Sequence, residues 1–349
     1  MRAFVLGREG CGFRDVPDPR ATPGHAIVQT SAAGLCHSDL TLVSRAPAQH
    51  PFSLPVVLGH ELAGVVVEVG AGAGEVQVGD PVVGYGPRGC GRCSRCSAGA
   101  ENYCHGHATS FPLGLGSDGA LAEFVAVPAS HLVPAAGLPP AQAAVMTDAG
   151  LTALHALNRA FAMIGRPPLG LVLVVIGVGG LGHLAVRLAK LRGATVIAVD
   201  REEDARTLAR RQGADQVLSG EGTAEEIRDL TDGRLADVVL DFVAHHSTLE
   251  LARAVLARDG VVSIVGVGAD RLAVGMHALP LGARTDLPFW GTRPELHQVL
   301  ELARSGEVEA VVEELPFEHT PEAYRRLAEG DIRGRAVVRM RADDPARGR

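Results

Sequence analysis

Hydrophobic positions fall into two textures along the chain. Up to about residue 145 they come in short alternating runs broken by glycine and proline, such as Ala26-Ile27-Val28-Gln29-Thr30, Gly64-Val65-Val66-Val67-Glu68-Val69-Gly70 and Asp80-Pro81-Val82-Val83-Gly84-Tyr85. Alternation over so few residues predicts strands joined by turns, hence a β-rich, barrel-like domain. Near Gln142 the texture changes. A helical stretch over 149–162 leads through Pro167-Pro168 to the apolar run 171–176, which reads as a buried parallel strand. Leu181, Leu184, Ala185, Leu188 and Ala189 then recur at helical spacing. Further segments alternate: strand 195–200, helix 204–212, strand 236–242, helix 248–256 and strand 260–265. That order predicts a doubly wound parallel sheet ending near Trp290. The remainder reads as helices over 294–305 and 321–328 and a last strand over 335–340, with fraying expected after Arg341.

Composition narrows the class. A length of 349 residues suggests two domains, and 46% hydrophobic with 21% charged residues is a globular balance. The net charge of −7 argues against nucleic acid or an anionic membrane as partner. The longest apolar run, 169–181, is too short and glycine-rich to span a bilayer. The first residues read as a strand, so no secretory leader is expected. Lys190 is the sole lysine and falls in a predicted helix, which weakens any Schiff-base chemistry. Four of the six cysteines cluster at metal spacing, which fits a reducing, cytoplasmic setting better than a disulfide framework.

Gly177-Val178-Gly179-Gly180-Leu181-Gly182 matches G-x-G-x-x-G between a predicted strand and a predicted helix. In that context Gly177 allows the tight turn, Gly179 lets a pyrophosphate approach the backbone, and Gly182 packs helix on sheet. The helix N-terminus offers free N–H groups and a positive dipole end to the phosphates. Asp200 ends the next predicted strand, where a carboxylate bonds a ribose 2′-hydroxyl and repels a 2′-phosphate, so NAD is expected over NADP. Arg201 leaves the strictness of that choice open, since it could pair with a 2′-phosphate or lie in solvent.

Cys90-x2-Cys93-x2-Cys96-x7-Cys104 supplies four thiolates in a glycine-rich lobe over 88–105. Four thiolates close a tetrahedral zinc site with no open position, a structural site. A second centre is proposed from Gly34-Leu35-Cys36-His37-Ser38-Asp39 read with Gly59-His60-Glu61. Cys36 and His60 offer a thiolate and an imidazole, ligands that suit zinc, with Glu61 beside them as support or alternate ligand. A lone cysteine and a lone histidine are, by themselves, more often core residues.

Together these motifs, in this order, resemble the zinc-dependent medium-chain alcohol dehydrogenases along nearly the whole chain. Met146-Thr147-Asp148-Ala149-Gly150-Leu151-Thr152 and Pro288-Phe289-Trp290-Gly291-Thr292-Arg293 look most like the bacterial NAD-dependent secondary-alcohol enzymes. The resemblance implies a GroES-like catalytic domain over 1–148 and 292–349 around a Rossmann NAD-binding domain over 149–291. It implies two zinc ions per subunit, the catalytic one held by Cys36, His60 and Asp148, where many relatives have cysteine. Asp148 also reads as a helix N-cap. The implied reaction is reversible hydride transfer between NAD and a secondary alcohol or ketone through a zinc-bound alkoxide. Ser38 would accept the hydroxyl proton. Many relatives carry a relay histidine a few positions later, where this chain has Leu40 and Thr41, so Thr41, His37 or water would carry the proton onward. The match also places His37 and Arg335 near the phosphates, and Val243, Gly266 and Val267 along the nicotinamide and its ribose. Leu115 and Trp290 are candidates for the substrate pocket, and Cys11 has no assigned role. A homodimer or homotetramer is implied, through the edge of the cofactor domain near residues 281–289. A polyol, an aldehyde adduct or a thioester-linked alcohol stays open as substrate. A metal-free quinone or enoyl reductase and a non-catalytic dinucleotide-binding protein are the other classes weighed; the ligand set argues against both.

Overall fold

A computed structural model describes residues 1–106, 111–220 and 222–340, and the expected fraying after Arg341 lies outside the described residues. In chain order the strands are β1 (Arg2–Gly7), β2 (Gly10–Asp15), β3 (His25–Gly34), β4 (Val56–Val57), β5 (Glu61–Val69), β6 (Pro81–Gly84), β7 (Phe124–Pro128) and β8 (Leu132–Pro134). They continue with β9 (Val172–Ile176), β10 (Thr195–Val199), β11 (Gln216–Leu218), β12 (Ala236–Asp241), β13 (Leu256–Ile264), β14 (Arg284–Asp286), β15 (Val312–Pro316) and β16 (Arg335–Arg339). The α-helices are α1 (His37–Val43), α2 (Ser94–Ser97), α3 (Pro140–Val145), α4 (Leu151–Ile164) and α5 (Gly182–Leu191). After them come α6 (Glu203–Arg211), α7 (Thr223–Leu230), α8 (His246–Val255), α9 (Arg293–Arg304) and α10 (Thr320–Glu329). The chain divides into two compact units: Met1–Asp148 with Thr292–Gly306 and Val311–Arg349, and Ala149–Gly291 with Glu307–Ala310. The short excursion at 307–310 has no periodicity from which sequence could place it; Arg187 of α5 donates to the Glu307 carbonyl at 2.7 Å.

The first unit is the GroES-like, β-rich one. Its larger sheet runs β15-β16-β3-β5-β6-β8, with β7 also on β3, and a second sheet runs β2-β1-β4. β3 is the pivot, pairing antiparallel with β5, β7 and β16. Its last residue, Gly34, stands opposite both Glu61 of β5 and Val337 of β16. The end of β3 and the starts of β5 and β16 are therefore brought to one place. Phe4, Val28, Leu58, Leu62, Leu121 and Val338 are among the buried residues of the core beneath them; each such side chain contributes about 1.5–3 kcal/mol by leaving water.

In the second unit the sheet order is β11-β10-β9-β12-β13-β14 and every pairing is parallel. Numbered from its own first strand this is the Rossmann order 3-2-1-4-5-6. Registers align Ile176 with Val199 and Asp241, and Asp241 with Ile264. The turns that begin at Gly177, Asp200, Phe242 and Val265 thus leave the sheet along one edge. β11 and α7 are among the elements of this unit absent from the sequence reading. β11 has three residues, none buried, and α7 buries Thr223 and Ile227, so neither leaves a usable period. Helix α4 starts two residues later than expected, after a π-helical turn at Met146–Gly150, and stops at Gly165, whose φ of 71° is left-handed.

Candidate active site and metal centres

Cys36 follows β3 after one residue, Leu35, and is the N-cap of α1. His60 precedes β5 and follows Gly59, whose φ of 96° suits glycine; a Cβ there would meet Leu121 Cγ at 2.7 Å. Glu61 packs against Gly34, where a Cβ would lie 1.9 Å from its Oε2. Asp148 sits in the π-helical turn at Met146–Gly150, a local geometry frequent at functional sites. It does not cap α4, whose N-cap is Gly150. Cys36, His60, Glu61 and Asp148 are all buried, and one ligand atom from each lies within 4.8 Å of the others.

Polar partners fix this cluster. His60 Nδ1 is 3.0 Å from Asp39 Oδ1, and its Nε2 is 3.6 Å from Asp148 Oδ2. Donation of Nδ1–H to Asp39 leaves the Nε2 lone pair facing the other ligands, the tautomer that metal ligation needs. Asp39 Oδ2 also accepts from the Cys36 N–H at 3.1 Å and from the Tyr324 hydroxyl at 3.0 Å. Arg335, at the start of β16, donates to Glu61 and, at 2.7 Å, to Asp148 Oδ2. Cys36 Sγ is 3.5 Å from Ser38 Oγ.

The buried charges of this cluster shift one another. Burial pushes the Glu61 carboxyl up, Arg335 pulls it down and Asp148 pushes it up again, leaving it at about 7. An ion pair with arginine ordinarily lowers a carboxyl; here desolvation outweighs a guanidinium that two carboxylates share. Burial alone would lower Arg335, but the charges of Cys36, Glu61 and Asp148 hold it well above its ordinary value. Burial would likewise lower His60, and the Asp39 charge overrides that and raises it. Glu61 Oε2 has no hydrogen-bond partner among the described residues. Thiol, imidazole and carboxylate donors, buried together within reach of one ion, fit zinc.

The four-cysteine lobe also fits. Cys93 is the N-cap of α2, Cys96 lies within it, and the sulfurs of Cys90, Cys93, Cys96 and Cys104 all lie within 4.8 Å. Cys93 Sγ is 3.5 Å from Cys96 Sγ and 3.9 Å from Cys104 Sγ. Those values bracket the separation of about 3.8 Å between corners of a tetrahedron with 2.3 Å zinc–sulfur bonds. Backbone N–H groups of Cys90 and Gly106 each donate to Cys104 Sγ at 3.2 Å. The N–H groups of Cys96 and His105 pull the Cys93 thiol down to about 5, whereas burial and then the neighbouring thiols push Cys96 up to about 12.

In the second unit, Gly177 has a φ of 86°, and a Cβ on Gly182 would lie 1.9 Å from the Gly177 carbonyl oxygen. A Cβ on Gly179 would meet nothing within 4 Å, so the space over this backbone is open for a pyrophosphate. Val178, Gly180 and Leu181 complete the turn into α5. The Val178 N–H donates to Asp200 Oδ2 at 2.7 Å, so Asp200 braces the turn. Arg201 is exposed and pairs with Glu202 at 3.1 Å. Val243 and Val267 are exposed at the same sheet edge, and the Gly266 N–H donates to the Asp241 carbonyl at 3.0 Å.

Other expected residues are placed as follows. His37 is exposed on the first turn of α1, and Thr41 donates its hydroxyl to the His37 carbonyl at 3.2 Å. Arg335, expected at the phosphates, has its guanidinium buried against Glu61 and Asp148 of its own unit. Leu115 packs against the core of the first unit. Trp290 is buried in the second, edge-on to Phe289 at 5.9 Å. Cys11 is exposed. Sequence reasoning missed Asp39 and Tyr324. Asp39 had a local signal, an acidic residue at the third position of a helix whose N-cap is a proposed ligand; Tyr324 had none.

Residues 22–139 match the alcohol dehydrogenase GroES-like domain family, and residues 180–305 match the zinc-binding dehydrogenase family. An NAD-dependent alcohol dehydrogenase of Sulfurisphaera tokodaii is 34% identical over 355 residues, covering 97% of this chain and 99% of the relative. The crystal structure of the alcohol dehydrogenase from Aeropyrum pernix superposes with a TM-score of 0.88 at 32% identity, covering 97% of this chain and 100% of that one. Acetophenone reductase from Geotrichum candidum, solved in complex with NAD, gives 0.85 at 32% identity, covering 97% and 96%. The chain belongs to the zinc-dependent medium-chain alcohol dehydrogenase family.

Proposed function

We infer that the protein is a zinc-dependent alcohol dehydrogenase that exchanges hydride between NAD and a secondary alcohol or its ketone. The observation that carries this reading is the buried cluster of Cys36, His60 and Asp148, with the imidazole tautomer fixed by Asp39. Zinc held by these three residues supplies a Lewis acid that lowers the pKa of an alcohol hydroxyl or polarises a carbonyl. NAD held by the 177–182 turn and Asp200 supplies the hydride acceptor.

The chain's own groups do the rest. Ser38 would take the proton leaving an alcohol, a role supported by its hydroxyl lying 3.5 Å from Cys36 Sγ. Thr41 has its own proton committed to the His37 carbonyl, so its oxygen can only accept in an onward path. Arg335 offsets the charge of Glu61 and Asp148, which keeps two carboxylates tolerable in a buried site. The first turn of α5 would offer its free N–H groups to the pyrophosphate of a bound NAD.

Domain limits of 1–148 and 292–349 for catalysis and 149–291 for NAD belong to the same reading, as does a structural zinc in the 88–105 lobe. A homodimer or homotetramer is supported by the exposed Leu281, Leu287 and Phe289 flanking the edge strand β14. A cytoplasmic location is supported by the free cysteines. Among the described residues no helix is long and apolar enough to cross a membrane.

NADH formation on a panel of secondary and primary alcohols and polyols, with and without chelator, tests the function. Two zinc ions per subunit and chelator-sensitive turnover are expected. No turnover on any alcohol refutes the reading, and chelator-insensitive turnover points to the metal-free reductase class.

A further inference from the structure

We propose that Tyr324 is a positioning residue for the Cys36–His60–Asp148 centre, its phenol holding Asp39 and, through that carboxylate, two metal ligands at once. The proposal rests on the zinc reading of that centre. Asp39 is fully buried and serves both ligands by different routes. Its Oδ1 takes His60 Nδ1 at 3.0 Å and so sets the ring's tautomer and orientation. Its Oδ2 takes the Cys36 backbone N–H at 3.1 Å and so fixes the turn that aims the thiol. The Tyr324 hydroxyl meets that same Oδ2 at 3.0 Å, from 285 positions further along the chain.

A carboxylate with no access to water keeps its charge and its direction only through its donors. Two of the donors to Asp39 belong to the ligands it is supposed to orient. The third must come from something that does not move with them. Tyr324 meets that condition. Its ring stacks on Phe4 at 5.7 Å and 29°, Phe4 packs edge-on against Phe13 at 5.2 Å, and Phe13 packs edge-on against Phe317 at 5.1 Å. The phenol is thus anchored in an aromatic cluster built from β1, β2 and the turn before α10. Helix α10 itself packs on α1, whose N-cap is Cys36. Burial and the charge of Asp39 hold the Tyr324 phenol well above its ordinary value, so it stays a donor throughout the working range of pH.

Tyr324→Phe removes the donor and keeps the ring. Partners that orient a metal's ligands typically change affinity about 10- to 100-fold when lost. The test is zinc competition with a graded chelator on the full-length holoprotein. One of the two zinc ions is expected to leave Tyr324→Phe at about 10- to 100-fold lower chelator, while the second, in the cysteine lobe, leaves as in wild type. Cobalt exchanged into the centre should show a shifted thiolate-to-metal absorption band. In an Asp39→Asn background, Tyr324→Phe should add nothing, because its route runs through that carboxylate.

Zinc retention within about twofold of wild type overturns the proposal. So does an equal loss in the Asp39→Asn background, which would make the effect one of packing. A Tyr324→Phe chain too unstable to hold either zinc also counts against it, since the ring packing is retained and only ligand orientation should suffer. A wild-type protein whose Cys36–His60–Asp148 centre takes up no zinc or cobalt overturns the active-site reading together with this proposal; a wild type with that centre filled and an unaffected variant overturns this proposal alone.

Discussion

Glu61→Gln should reduce the number of protons released when zinc enters the metal-free protein. The Glu61 carboxyl is raised from 4.5 to about 7 by burial first, against the pull of Arg335. A group with that pKa is about 90% protonated at pH 6 and about 10% at pH 8. A dication beside it favours the carboxylate, so zinc entry should expel about 0.9 proton from Glu61 at pH 6 and about 0.1 at pH 8. Glutamine keeps the shape and an acceptor for Arg335 but cannot titrate. The other ligand residues are the same in both proteins, so the difference between them reports the Glu61 proton. The same shift acts on stability. A folded pKa above the unfolded one gives stability that is full below about 4.5 and is lost as pH rises towards 7. Over that interval the metal-free wild type should lose on the order of 3 kcal/mol that Glu61→Gln retains. Calorimetry of zinc binding in buffers of different ionisation enthalpy counts the protons. Equal release by the two proteins at pH 6 would refute the charge argument for the site.

Gly182→Ala places a Cβ 1.9 Å from the Gly177 carbonyl oxygen, so the turn must open; NADH titration by fluorescence should give a Kd at least about tenfold higher, with zinc content unchanged. Cys93→Ser should lower zinc from two to one per subunit by elemental analysis and speed proteolytic cutting within 88–105, whereas retention of both ions would clear Cys93 of a ligand role. Burial, then Arg293 and Arg88, pulls His131 down to about 4. Its contribution is full above about 6.5 and is lost as pH falls towards 4, so between pH 7 and 5 the wild type should lose on the order of 2 kcal/mol more than His131→Gln in denaturant unfolding. Parallel pH profiles for the two would rule this out.

What was legible in the sequence was whatever a few consecutive residues decide. The glycine turn, the cysteine lobe and the alternation of apolar strands with helices carry their physics within a short window, and the Rossmann sheet follows from that alternation. β11 escaped because an edge strand of three half-exposed residues has no period to read. The π-helical turn escaped because Met146-Thr147-Asp148-Ala149-Gly150 looks like ordinary helix, and the resemblance, not the pattern, singled out Asp148 as a ligand.

The active centre was less legible for a topological reason. Arg335 and Glu61 are 274 positions apart and meet because β3 is flanked by β5 on one side and β16 on the other; Tyr324 and Asp39 are 285 apart and meet because α10 packs on α1. Gly34 is where those registers meet. Any side chain there would occupy the place of the Glu61 carboxylate, so the absence of a Cβ is what lets an acid sink between the strands and need an arginine. The arginine has to arrive from β16, the strand that the Leu35 N–H ties on at the Ala336 carbonyl, 2.9 Å away. A glycine among 43 carries no such message by itself. It acquires one only when the pairing of three strands is known, and that pairing turns Glu61, Arg335 and Asp148 from scattered charges into one electrostatic unit around the metal ligands.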